Sequence, residues 1–152
     1  EASGSRSTYT PQFSLRPSMT SSTIQAIARC CVGGFFVYVG VLHFATPDVF
    51  VAIVPPYLPA ALALVYISGV FELLGGIGLL LPKTRRAAAW GLLALLVAVY
   101  PANIHMLVNE VYLKNMPHEK WILWARMPVQ FLFALGVSWT GGIWPRRQQQ
   151  AS

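Results

Sequence analysis

The sequence predicts an all-α membrane protein, a four-helix transmembrane bundle with a short interfacial segment between helices 1 and 2. Three observations predict it. Hydrophobic residues make up 55% of the 152 residues against 11% charged, and mean hydropathy is +0.55, far above what a water-facing surface needs. Four apolar stretches are each about 20 residues long, the length that crosses a hydrocarbon layer of about 30 Å. Most of the Lys and Arg behind the formal charge of +6 stand just outside those stretches. That is the pattern of membrane topology and not of a phosphate-binding face, so nucleic acid is excluded as a partner.

Residues 1–22 form a polar Ser/Thr/Pro-rich tail, too polar to bury a core of its own. Its Ser/Thr/Arg-rich, acid-poor character resembles the remnant of an organellar transit sequence, and without an initiator Met the numbered chain reads as a processed form. The four-helix domain then covers residues 23–144, with spans expected at about 24–44, 60–81, 87–107 and 121–143, and residues 145–152 form a polar C-terminal tail. Ser22-Thr23-Ile24-Gln25 has capping-box spacing and is expected to start the first helix, which Pro47 ends. Residues 48–59 include Val54-Pro55-Pro56-Tyr57-Leu58-Pro59, too proline-rich for a continuous helix and apolar enough to lie along the interface. Pro82-Lys83-Thr84-Arg85-Arg86 is a tight basic turn between the second and third spans, and Pro101 is expected to kink the third. Cys30 and Cys31 are adjacent, which disfavours pairing, and are expected as buried thiols.

Four spans put both termini on one side, here called side A. Eight cations fall there (Arg6, Arg16, Arg29, Lys83, Arg85, Arg86, Arg146, Arg147) against Lys114 and Lys120 on side B. Side A is therefore expected to be cytoplasmic, matrix or stromal, in keeping with an organellar membrane such as a thylakoid or the mitochondrial inner membrane. Trp121 and Trp124 near side B, with Trp90, Trp139 and Trp144 near side A, fit interfacial belts.

Polar side chains inside apolar spans carry the functional signal, because an ionised group at bilayer depth costs several kcal/mol unless it is paired or hydrated. His43, Ser68, Glu72, Asn103, Arg126 and Gln130 come from all four helices and converge, by antiparallel threading, in the side-B half. Ser68, Gly69, Glu72, Gly75 and Gly76 share a small-residue face that favours close helix packing. Arg126 and Gln130 share a face of the fourth helix beside Pro128, and a Glu72–Arg126 ion pair is expected.

The series His43-Phe44-x-x-Pro47, Ser68-Gly69-x-x-Glu72, Gly75-Gly76-Ile77-Gly78-Leu79-Leu80, Pro101-Ala102-Asn103 and Arg126-x-Pro128-x-Gln130 resembles the DoxX-like family of small four-helix membrane proteins. The likeness covers about residues 24–143. It implies the four-helix fold, and among its functions thiosulfate-to-quinone electron transfer, redox-stress assemblies and receptor assembly.

The polar cluster admits three readings: an internal network that specifies helix register, a quinone or other small-molecule site with His43, Asn103 or Arg126 as donors, and a proton path through Glu72. Haem between His43 and His105 is disfavoured. His118 beside Glu119 has no second ligand at zinc-like spacing, so no metal is expected. The sequence holds no nucleophile–base arrangement, phosphate-binding glycine loop or CxxC motif. Two functions are therefore expected. The first is a non-catalytic accessory subunit of a photosynthetic or respiratory membrane complex, docked through Arg6, Arg16, Arg146 and Arg147, with lipid or pigment contacts at its periphery. The second is a quinone-linked redox subunit.

Overall fold

The computed structural model describes residues 19–112 and 117–144. The docking residues Arg6, Arg16, Arg146 and Arg147, and Lys114 of the connector, lie outside them. Among the described residues all regular structure is helical: α1 (Met19–Ala45), α2 (Pro47–Val51), α3 (Ala61–Leu80), α4 (Arg85–Val108) and α5 (Lys120–Thr140). All but α2 are long and apolar enough to cross a membrane, and the chain is an integral membrane protein.

The four long helices follow the expected spans, with three local differences. Ser22 already lies inside α1, which starts at Met19, so the expected capping box does not mark its beginning; Gln25 Nε2 instead donates across the bundle to the carbonyl of Trp139, 3.2 Å away. Arg85 and Arg86 form the first turn of α4 and not part of the turn before it. Cys30 and Cys31 are exposed free thiols, contrary to the expected burial. In a bilayer an apolar thiol can face hydrocarbon, so the rule that drives cysteine inward in water does not apply there.

Pro47 occupies the first turn of α2, where its missing N–H has no helical partner to lose. Turns follow, with Pro55 fully buried, and the chain enters α3 through Ala60 in the left-handed conformation (φ 54°). The interfacial segment is thus partly helical and folded back onto the bundle, with α2 packed on α1 and α3.

Around the bundle the order is α1, α3, α4, α5, with α5 closing back on α1. The α1–α3 seam is made by glycines. A Cβ at Gly76 would stand 2.7 Å from the carbonyl oxygen of Gly33, and one at Gly40 would stand 3.0 Å from that of Gly69. The two antiparallel contacts are two helical turns apart on each helix, so the backbones touch along one straight seam. On its other side α3 sets Gly75 against Leu92 and Gly78 against Ala88 of α4, and Gly141 at the end of α5 rests on Ala89. Phe36, Leu79, Ala89, Leu92 and Val137 form the buried core between these contacts. The polar groups occupy the other half.

We call the end holding Arg29, Arg85 and Thr140 end A, and the opposite one end B. Arg29 Nε donates to the carbonyl of Thr140 (3.2 Å), which puts the first part of α1 beside the last residue of α5. By helical rise, α1 continues about 15 Å beyond that level.

Candidate functional site

The glycine seam determines where the first polar group forms. A Cβ at Gly69 would lie 2.8 Å from both His43 Cβ and a ring carbon of Phe44, so the absence of a side chain there lets His43 lie flat against α3. One turn further along α3, Glu72 reaches back to it. His43 Nδ1 is 2.9 Å from the carbonyl of Val39 and 3.1 Å from Glu72 Oε2. A carbonyl can only accept, so Nδ1 carries a proton. That proton is aligned with Val39, and Glu72 Oε2 has no aligned donor among the described residues. Glu72 Oε2 thus stands beside the imidazole at 3.1 Å with no second donor aligned to it. Both residues are buried, 7% and 9% exposed. The ring of Phe50 in α2 stacks on the imidazole with centroids 3.8 Å apart and planes 21° apart, closing the pair from end B.

The second group joins α4 to α5. Asn103 Nδ2 donates to Gln130 Oε1 (2.6 Å), and Gln130 Nε2 donates to the carbonyl of Leu96 (2.5 Å). That carbonyl acceptor decides which end of the Gln130 amide is nitrogen. Arg126 Nε reaches Asn103 Oδ1 at 3.4 Å, a long contact. Pro101 stands inside α4 between Leu96 and Asn103, and Pro128 inside α5 between Arg126 and Gln130. Each removes a backbone N–H from its own helix, in the stretch where these side chains cross between the helices.

The expected single cluster is thus two groups, and the expected Glu72–Arg126 pair does not form. Glu72 pairs with His43, while Arg126 bonds Asn103. Axial register explains the difference. Taking the Gly141–Ala89 contact as a common level, helical rise puts Arg126 about 22 Å and Glu72 about 9 Å from it toward end B. About 13 Å along the bundle is more than the two side chains span. Ser68 is half-buried one turn from Glu72 and joins neither group.

Three participants went unseen in the sequence reading. Phe50 sits in a segment treated as an interfacial connector. The carbonyls of Val39 and Leu96 have no side-chain signature at all. His105, expected near the interface, has a buried Nδ1 with no hydrogen-bond partner among the described residues. Among those residues no three His, Cys, Asp or Glu side chains gather as a metal site would require.

Beside the second group a groove of about 280 Å³ opens between α4 and α5, lined by Leu93, Leu96, Val97, Tyr100, Gln130, Phe131 and Ala134. Its walls are apolar except for the Gln130 amide and the Tyr100 hydroxyl. It lies wholly within the two candidate spans, so the medium outside it is hydrocarbon.

The model of a sequence family described as "Domain of unknown function (DUF8561)" matches residues 32–140, well over half of the chain. The chain belongs to the DUF8561 family. No curated protein and no solved structure matches it. The DUF8561 region begins in α1 and ends with the last residue of α5, so it takes in the glycine seam, both polar groups and the groove.

Proposed function

We propose that this DUF8561 protein is a non-catalytic accessory subunit that packs within a larger membrane complex. The observation that carries the reading is the α4–α5 groove. Both helices turn large apolar side chains outward, among them Val97, Trp124, Phe131, Leu132 and Leu135, and the groove indents that face within the spans. A flat apolar face is enough for lipid, whereas an indented one is shaped to receive a side chain from a neighbouring transmembrane helix. The polar groups support the same reading, since their hydrogen bonds and ion pair tie α1 to α3 and α4 to α5 and so hold the face rigid. The charge bias of the sequence supports placing both termini on the stromal, matrix or cytoplasmic side, and the transit-like first residues support an organellar host such as a photosynthetic or respiratory complex.

The test is native-gel fractionation of source membranes in mild detergent, with mass spectrometry locating this chain. Co-migration with a large complex is expected, weakened by Leu135→Arg or Ala134→Phe at the groove. Migration of the unmodified chain as a small free species would refute the reading.

A second reading follows from the composition of the same groove. Gln130 and Tyr100 are hydrogen-bonding groups in an otherwise apolar slot, and Gln130 is linked through Asn103 to Arg126. A quinone needs such a slot and one or two donors to its carbonyl oxygens. This is the role that relationship to the DoxX-like family, itself a proposal resting on the motif series, would favour. The readings diverge at Arg126→Ala: a quinone-linked subunit loses quinone turnover with assembly intact, whereas an accessory subunit shows impaired folding or docking.

A further inference from the structure

We propose that Arg29 and Arg85 form a binding site at end A for the phosphate headgroup of an anionic membrane lipid. The two arginines come from different helices and are brought together by the fold. Arg29 Nε donates to the carbonyl of Thr140 (3.2 Å), and Arg85 Nε makes a longer contact with that of Leu79 (3.4 Å). Gly141, next to Thr140, packs on Ala89, one turn along α4 from Arg85. The two arginines therefore stand at the same corner of the bundle, and among the described residues neither meets a carboxylate.

Each Nε is spent on a helix C-terminal carbonyl, where a cation is favoured and free carbonyls need donors. This anchors both planes and leaves the Nη edges, the part of arginine that binds phosphate in two-point fashion. Lys83 and Arg86 are exposed in the same corner. The acidic residues of the described chain are elsewhere: Asp48, Glu110 and Glu119 belong to the end-B segments, and Glu72 is committed to His43. End A is therefore a concentration of positive charge with no internal counterion among the described residues.

Two observations point to a lipid as the source of the missing anion. The corner lies where the candidate spans α3, α4 and α5 begin or end, while that of α1 runs about 10 Å further, which suits the inner edge of the headgroup layer. Exposed Trp90, Trp139 and Trp144 stand in the same segments, as interfacial anchors do. Basic pockets between transmembrane helices at this depth are suited to anionic headgroups. A topological charge bias alone would be met by cations scattered over separate loops; it does not require two arginines of different helices to meet at one corner, each with its Nε turned to a helix-end carbonyl.

The test uses the full chain in an uncharged detergent and follows its melting temperature. Phosphatidylglycerol is expected to raise it by several degrees at concentrations where phosphatidylcholine and inorganic phosphate leave it unchanged. The Arg29→Gln/Arg85→Gln variant should lose the rise, and Lys83→Gln/Arg86→Gln should keep most of it. Equal shifts from phosphatidylcholine, an equal shift from inorganic phosphate, or a rise that persists in Arg29→Gln/Arg85→Gln would each overturn the proposal. Because the first variant also removes two helix-end contacts, native mass spectrometry of the unmodified protein is an independent check. Retention of one anionic phospholipid in excess of its share of the membrane is expected, and co-purification in membrane proportions would overturn the site.

Discussion

At the scale of single residues, His43 with Glu72 and Asn103 with Gln130 are matched partners, and removing one member should cost more than removing both. His43→Leu leaves the buried Glu72 carboxyl without its partner, and a buried polar group left unsatisfied costs about 1–3 kcal/mol, more when it is charged. His43→Leu combined with Glu72→Met should recover most of that loss, because two apolar side chains of similar size replace the pair. A double-mutant cycle of thermal unfolding in detergent measures the coupling, and additive losses would mean that the residues do not interact. Gln130→Leu leaves the Asn103 amide without its acceptor and is expected to cost about 1–3 kcal/mol by the same assay. The identities of these residues were legible in the sequence because an ionisable or amide side chain inside an apolar span is conspicuous. Their partners were not. Pairing depends on how each helix is rotated and how far it is slid against its neighbour, and the register of glycines against Leu92 and Ala89 determines both. Counting residues from the loops brings Glu72 and Arg126 into one half of the bundle, although they stand about two turns apart along its axis.

At the scale of elements, α1 and α3 are joined by backbone proximity more than by interlocking side chains, which makes the seam intolerant of added atoms. Gly76→Val would push its side chain into the Gly33 carbonyl and Val37 and should destabilise by about 1–3 kcal/mol or more, the usual cost of overpacking. Gly91→Ala is the matched control: it points into open space on α4 and should be neutral or stabilising by up to about 1 kcal/mol, as helix propensity allows. Equal melting temperatures for Gly76→Val and the unmodified chain would rule out the close seam. Ala60 opens α3 in the left-handed region, a conformation costing an L-residue about 1–2 kcal/mol. Ala60→Gly should therefore raise the melting temperature, provided the turn stays as it is. Element length and number could be read from the sequence, since hydropathy and the roughly 20-residue requirement leave little freedom. The packed course of residues 47–60 could not, because Pro47 marks only where α1 stops, while the stacking of Phe50 on His43 is a tertiary event.

At the scale of the whole molecule, four helices place polar pairs inside, aromatic and aliphatic side chains outside, and cations at end A. If the α4–α5 face is a docking surface, adding the detergent-solubilised protein to membranes lacking it should restore the host complex, and Leu135→Arg should prevent this, since an ionised side chain within the span cannot be buried against an apolar neighbouring helix. The exposure of Cys30 and Cys31 shows where intuition from water fails: hydropathy identifies the spans, but which side of each span is inner depends on neighbours that the sequence does not display. Arg29 of the first span holds the carbonyl of Thr140. The acceptor is the last residue of the last span, so α1 leaves the ribosome long before its partner exists. The hairpins α1–α3, α3–α4 and α4–α5 can assemble in the order of synthesis, but the ring cannot close until translation has passed Thr140. A nascent chain stopped within α5 is a bundle with an open side, its Arg29 without the carbonyl that it holds in the closed ring.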